Sequence, residues 1–278
     1  MRIIDTHLHL VYPDRFAYPW LTDVPALNRP FSFPDYWEQA EKAGIAAALH
    51  IEVDVVEEDR EAETRFVTGL DPRIAGAVAS CRPENADFAA ELERLAAIPG
   101  VKGLRRILHT SPDELSQTPL FAENLNRIAA HELTFDLCVL ARQLPVGRDL
   151  AARCPDVQFI LDHCGVPDIE GDDFDTWADD LRHMSELPNV AVKISGISAY
   201  ARPDWSLDDL RPWVEHTIAC FGWDRVVWGS DYPVCTLNAD LGLWVETTRA
   251  LLAGTSGAEQ EQLFSRNAER LYRLRADR

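Results

Sequence analysis

The sequence predicts an α/β protein folded as one (β/α)8 barrel, and three observations predict it. Short apolar, strand-like runs recur eight times along the 278 residues. Segments with apolar residues at three- and four-residue spacing stand between them, the alternation of a parallel sheet covered by helices. The length suits one large barrel, about 250 residues being typical. No low-complexity tract, short repeat or linker marks a second domain, so residues 1–278 read as a single unit.

The strands are expected at 3–10 (IIDTHLHL), 46–53, 73–80 and 101–108 (VKGLRRIL) in the first half. They continue at 133–139 (LTFDLCV), 157–165 (VQFILDHCG), 189–197 (NVAVKISGI) and 225–231 (RVVWGSD). Helices are expected from Phe88, from Leu120 and from Asp209. Ser206, followed by Asp208 and Asp209, suits a cap and an acidic first turn, and Ser256 suits the cap of a C-terminal helix. The segment 11–29 is rich in proline and aromatics and is expected to fold over the barrel mouth. An open doubly wound sheet is the rival architecture. It would show a Gly-rich phosphate turn after its first strand, and THLHLVYPDR has none.

Composition narrows the function. With 46% hydrophobic and 26% charged residues the chain has material for a large core. A net charge of -19 argues against nucleic acid and anionic membranes as partners, since both are polyanions. None of the 6 cysteines forms a C-x-x-C pair, and most sit in apolar runs, so reduced thiols in a cytoplasmic protein are expected. The strand-like IIDTHLHL follows Met1 and Arg2 directly, without a secretory leader pattern.

In such a barrel the active site lies at the C-terminal ends of the strands. His7 and His9 fall there on the first strand, Asp162 and His163 on the sixth, and Asp231, before Tyr232, on the eighth. Strand alternation places Asp5, His7 and His9 on one face, two imidazoles side by side. Any lone histidine could be a satisfied core residue. The three clusters together suit a divalent metal or a polarised carbonyl.

DTHLHL, LDHCG, NVAVKISG and VVWGSDYPV resemble the signature segments of the amidohydrolase superfamily. With YPWL, VKGLRRIL and FDLCV they resemble its amidohydrolase-2 branch of sugar and dicarboxylate lactonases. The resemblance implies a distorted TIM barrel in which His7, His9, His163 and Asp231 meet, as catalytic residues and as ligands of one divalent metal, zinc foremost. Lys102 stands too near the start of its strand, and LTFDLCV offers no histidine, so a binuclear centre is not expected. The branch also includes members that act without a tightly bound metal.

The reaction then expected is the opening of a sugar-acid lactone, of the kind derived from fucose or rhamnose. Asp231 would be the general base. His163, His7 and His9 would polarise the carbonyl, directly or through the metal. Substrate contacts are expected from Arg105 or Arg106, of which strand alternation lets one reach the pocket, and from Lys193, Trp20, Tyr232 and Glu52. His50 and His109 are further candidates for the lining. The partners expected are a small molecule and, as an open option, a second copy of the chain in a homodimer.

Three rivals stay open. A dicarboxylate lactonase would need convergent arginines. A non-oxidative decarboxylase would need a firm metal and a histidine on the fifth strand. A binding protein on a retired barrel would have no need of the combined histidine and aspartate set.

Overall fold

Each expected strand forms, and each pairs in parallel with the next in chain order. The computed structural model describes residues 1–171 and 173–274. Strands β1 (Ile3–Leu8), β2 (Ile45–Ile51), β3 (Ile74–Ser80) and β4 (Val101–Ile107) are followed by β5 (Thr134–Cys138), β6 (Gln158–Leu161), β7 (Val190–Ile194) and β8 (Val226–Trp228). Between and after them run α1 (Phe33–Ala43), α2 (Arg60–Thr68), α3 (Phe88–Ala96), α4 (Pro119–Ile128), α5 (Leu144–Arg153), α6 (Phe174–Ser185), α7 (Leu207–Phe221) and α8 (Leu241–Leu251).

The barrel is distorted at one seam. No ladder joins β8 to β1; a single bridge links Leu8 to Tyr232, with Asp231 N–H donating to His7 O at 2.8 Å. The Asp5 carboxylate does the work of the missing ladder. It accepts from Ser230 N–H at 2.8 Å, from His7 N–H at 3.0 Å and from the Tyr36 hydroxyl of α1 at 2.7 Å. A register shift lies between Asp5 and Leu8. This irregularity corrects the expected alternation: Asp5 faces Tyr36, whereas His7 and His9 face each other inside the mouth.

The last three strands, β6, β7 and β8, stop furthest short of their expected ends. β6 stops at Leu161 because His163, Cys164 and Val166 have φ of 54°, 54° and 47°, left-handed values that no strand can hold. Gly196 ends β7 in the same way, and Asp231, at φ 57°, lies beyond β8.

Two cores hold the sheet. Phe135, Phe159, Trp177, Trp228 and Trp244 belong to the large core between strands and helices, while Ile4, Leu49, Val78, Ile160 and Val227 fill the barrel interior. The C-terminal segment packs into this inner core with Ala268, Leu271 and Tyr272. Ser256 opens α9 (Gly257–Glu261) with a capping box to Glu259, and α10 (Asn267–Leu271) follows. The expected cap of α7 is also present, Ser206 N–H donating to Asp209 at 2.7 Å. Among the described residues no helix is long and apolar enough to cross a membrane.

Candidate active site

The mouth of the barrel holds a cavity of about 240 Å³, the size for a small molecule rather than a polymer. Segment 11–29 covers it as expected, giving Val11, Trp20 and Leu21 to the wall. The floor and sides come from His9, Asp54, Arg105, His109, Cys138, His163, Tyr200 and Asp231.

At the base, His7 Nε2 lies 3.1 Å from His9 Nε2, and both face Asp231 Oδ1, at 3.6 Å and 3.5 Å. His9 Nδ1 is 3.0 Å from the Ile51 carbonyl, which can only accept, so His9 carries its hydrogen there and points a lone pair at this centre. Asp231 Oδ2 is buried and lacks a hydrogen-bond partner. Two nitrogens and a carboxylate oxygen converging at these separations fit one divalent ion. Tetrahedral ligands at about 2.0–2.1 Å stand roughly 3.3 Å apart. A second group of potential donors, His7, Asp162 and His163, shares His7 with the first. The four residues expected as one ligand set thus lie together, but His163 sides with Asp162.

Glycine makes this closeness sterically feasible. A Cβ on Gly196 would stand 2.6 Å from His163 Nδ1 and 2.8 Å from Asp231 Oδ2. Left-handed backbone at His163 and Asp231 adds strain where these side chains are presented, as functional sites often do. His163 Nδ1 is 2.8 Å from Ser195 Oγ, leaving Nε2 for the cavity. Burial lowers the pKa of His163 and, together with Lys193, takes that of His7 well below its ordinary value.

Arg105 and Arg106 separate as strand alternation requires. Arg105 lines the cavity, gripped by Glu52 Oε1 and the Glu52 carbonyl, both at 2.7 Å. Burial alone would push the Glu52 carboxyl up, yet Arg105 and the Asp54 N–H hold it below its ordinary value. Arg106, named with it as a substrate contact, needs correction: it is off the cavity wall, held by Glu84 at 2.8 Å. Lys193, Glu52 and Tyr232 also need correction as direct contacts, for none is on the cavity wall. Lys193 is fully buried against Asp136, Glu52 stands behind Arg105, and Tyr232 turns toward Phe31 and Tyr36 while its backbone bridges the seam.

Sequence reasoning missed Asp54 and Asp136 and left Asp162 without a role. Asp162 lies among Lys193 at 3.0 Å, His7 at 3.4 Å and Arg105 at 3.5 Å. Burial opposes its charge, but Lys193 and His7 hold its pKa well below the usual range. A lone aspartate in the apolar run LTFDLCV was a readable signal for the partner of Lys193. Asp54 had none: it enters the wall by a left-handed turn, φ 49°, with its N–H held by Glu52 Oε2 at 2.9 Å.

The chain is similar to known proteins over nearly its whole length. A family profile described as amidohydrolase matches residues 4–274. An L-fucono-1,5-lactonase of Burkholderia ambifaria is 27% identical, covering 98% of this chain and 95% of its own. A 4-sulfomuconolactone hydrolase of Rhizobium radiobacter is 24% identical, covering 82% of this chain and 75% of its own. A crystal structure of an amidohydrolase from Burkholderia multivorans with bound zinc superposes with a TM-score of 0.91 at 25% identity, covering 99% of this chain and 100% of its own.

Proposed function

The chain belongs to the amidohydrolase family, and from that membership we propose that it is a hydrolase of cyclic esters that opens a sugar-acid lactone by attack of water on the ring carbonyl. The observation that carries the sugar is the charge of the cavity. Among the described residues its wall has one Lys or Arg side chain, Arg105, already paired with Glu52, and it carries the carboxyls of Asp54 and Asp231. A neutral polyhydroxy lactone suits such a wall, its hydroxyls donating to Asp54. A lactone bearing two carboxylates would need a second unpaired guanidinium, and Arg106 is committed to Glu84. Decarboxylation fits less well, because Cys138 and no histidine stands at the end of β5.

Asp231 is the base. Its Oδ2, buried and unpartnered, takes the proton of the attacking water, while Oδ1 faces His7 and His9. His163 Nε2 polarises the ring carbonyl, and the Arg105 guanidinium stabilises the oxyanion that forms; its collapse breaks the ring C–O bond, the leaving alkoxide takes the proton back from Asp231, and the new carboxylic acid ionises. Trp20, fixed by its Nε1–H to the Val53 carbonyl at 2.8 Å, gives a flat apolar wall to the sugar ring. A divalent ion held by His7, His9 and Asp231, zinc by its liking for imidazole nitrogen, would supply Lewis-acid polarisation when bound.

Ring opening releases a proton, so a pH-indicator screen over five- and six-membered sugar lactones tests the reading directly. Turnover well above the spontaneous rate is expected on at least one of them. Turnover confined to dicarboxylate lactones would overturn the sugar assignment.

A further inference from the structure

Beneath His7 lies a buried ammonium that hydrogen-bonds Asp136 and His7 and forms an ion pair with Asp162. Lys193 Nζ stands 2.6 Å from Asp136 Oδ2, 3.0 Å from Asp162 Oδ1 and 3.1 Å from His7 Nδ1. Two carboxylates at this range keep the lysine charged, and an ammonium can only donate. His7 Nδ1 therefore accepts, and the hydrogen of the neutral imidazole sits on Nε2. That Nε2–H points at His9 Nε2, 3.1 Å away, whose lone pair is free because His9 Nδ1–H donates to Ile51 O. Every contact in the row Lys193, His7, His9, Ile51 is satisfied by this one assignment.

The other tautomer of His7 has an acceptor too, Asp162 Oδ1 at 3.4 Å from Nδ1. It sets an N–H of Lys193 against the N–H of His7. It also sets the lone pairs of His7 and His9 against each other at 3.1 Å. A cation between those lone pairs removes the second conflict and leaves the first. A metal-binding histidine normally donates its outer N–H to a carboxylate or carbonyl. Here a lysine stands nearer to that nitrogen than the carboxylate does.

We propose that Lys193 holds His7 as its Nε2–H tautomer and so opposes divalent-metal binding at His7, His9 and Asp231, a positioning role that rests on the reading of that cluster as a metal centre. The structure supports the role from below: Tyr272 donates its hydroxyl to Asp136 at 3.0 Å, tying the lysine's partner to the C-terminal segment.

Two measurements test this on the full chain. The first is ¹⁵N NMR of the histidine-labelled, metal-free protein, with the His7 signals identified by their absence from His7→Gln. Protonated Nε2 and bare Nδ1 are expected; the reverse pattern overturns the proposal and needs no lysine variant. The second is Co²⁺ affinity, read by visible absorption and by equilibrium dialysis. It compares wild type with Lys193→Met and with Lys193→Met/Asp136→Asn, the double variant losing one buried charge of each sign. Affinity at least about tenfold tighter is expected in the variants, the scale of effects from groups behind metal ligands. Equal or weaker affinity overturns the proposal. Co²⁺ uptake by none of the proteins overturns it together with the metal centre, and lactone turnover, measured separately, still judges the reaction.

Discussion

At the scale of single residues the site depends on a few buried charges whose partners are named. Asp231→Asn keeps the shape but removes the base. It should cost about 10²–10⁴ in kcat, the usual range for general-base loss, with the melting temperature little changed; activity near wild type would exclude Asp231 as the base. Arg105→Gln leaves Glu52 and Asp162 without their guanidinium. Breaking a buried pair in this way costs about 3–5 kcal/mol, so urea unfolding should show a loss of that order beside any kinetic effect. Asp54→Ala tests the substrate assignment, with KM for sugar lactones expected to rise more than kcat falls. His163 and His9 were legible because they stand at strand ends in ligand-like spacing. Asp54 was not, because only a left-handed turn brings it to the wall.

At the scale of elements, the ends of the strands matter more than their middles. β1 carries the register shift that turns Asp5 toward the β8 seam and His7 and His9 into the mouth. Hydrophobic alternation in IIDTHLHL could not show this, since a bulge is set by the neighbouring strands. After β7, Gly196 has φ 67° and no room for a side chain beside His163 and Asp231. Gly196→Ala should push these two apart and abolish most turnover while circular dichroism stays that of wild type. A fully active alanine variant would show that their spacing is not needed.

At the scale of the whole molecule, pH and salt act through buried and surface charge. Burial and the nearby Arg105 and His163 bring the His109 pKa from its ordinary 6.5 down to about 4. Between these values the unfolded chain binds the proton and the folded chain does not. The contribution of His109 is therefore complete above pH 6.5, shrinks as pH falls, and levels off below about 4. His109→Gln should flatten that part of the pH dependence of urea midpoints, and an unchanged slope would contradict it. The net charge of -19 also implies self-repulsion. Raising KCl from about 10 mM to about 0.5 M shortens screening from roughly 30 Å to a few ångströms, so the melting temperature should rise.

The sequence by itself determined the eight-fold alternation, the order of the strands, the covering segment 11–29 and the histidines and aspartates at the strand ends. These are local matters of periodicity, turn chemistry and the rarity of ligand-type residues in apolar runs. Only the tertiary structure decided which side chains share a wall. Lys193 passed from pocket candidate to buried support because Asp136 on β5 and Asp162 just past the end of β6 meet it under His7. Arg105 and Arg106 are adjacent in the chain, yet one meets the cavity and the other Glu84. Charge pairing between strands far apart in sequence has no period, so it becomes readable only when the barrel closes.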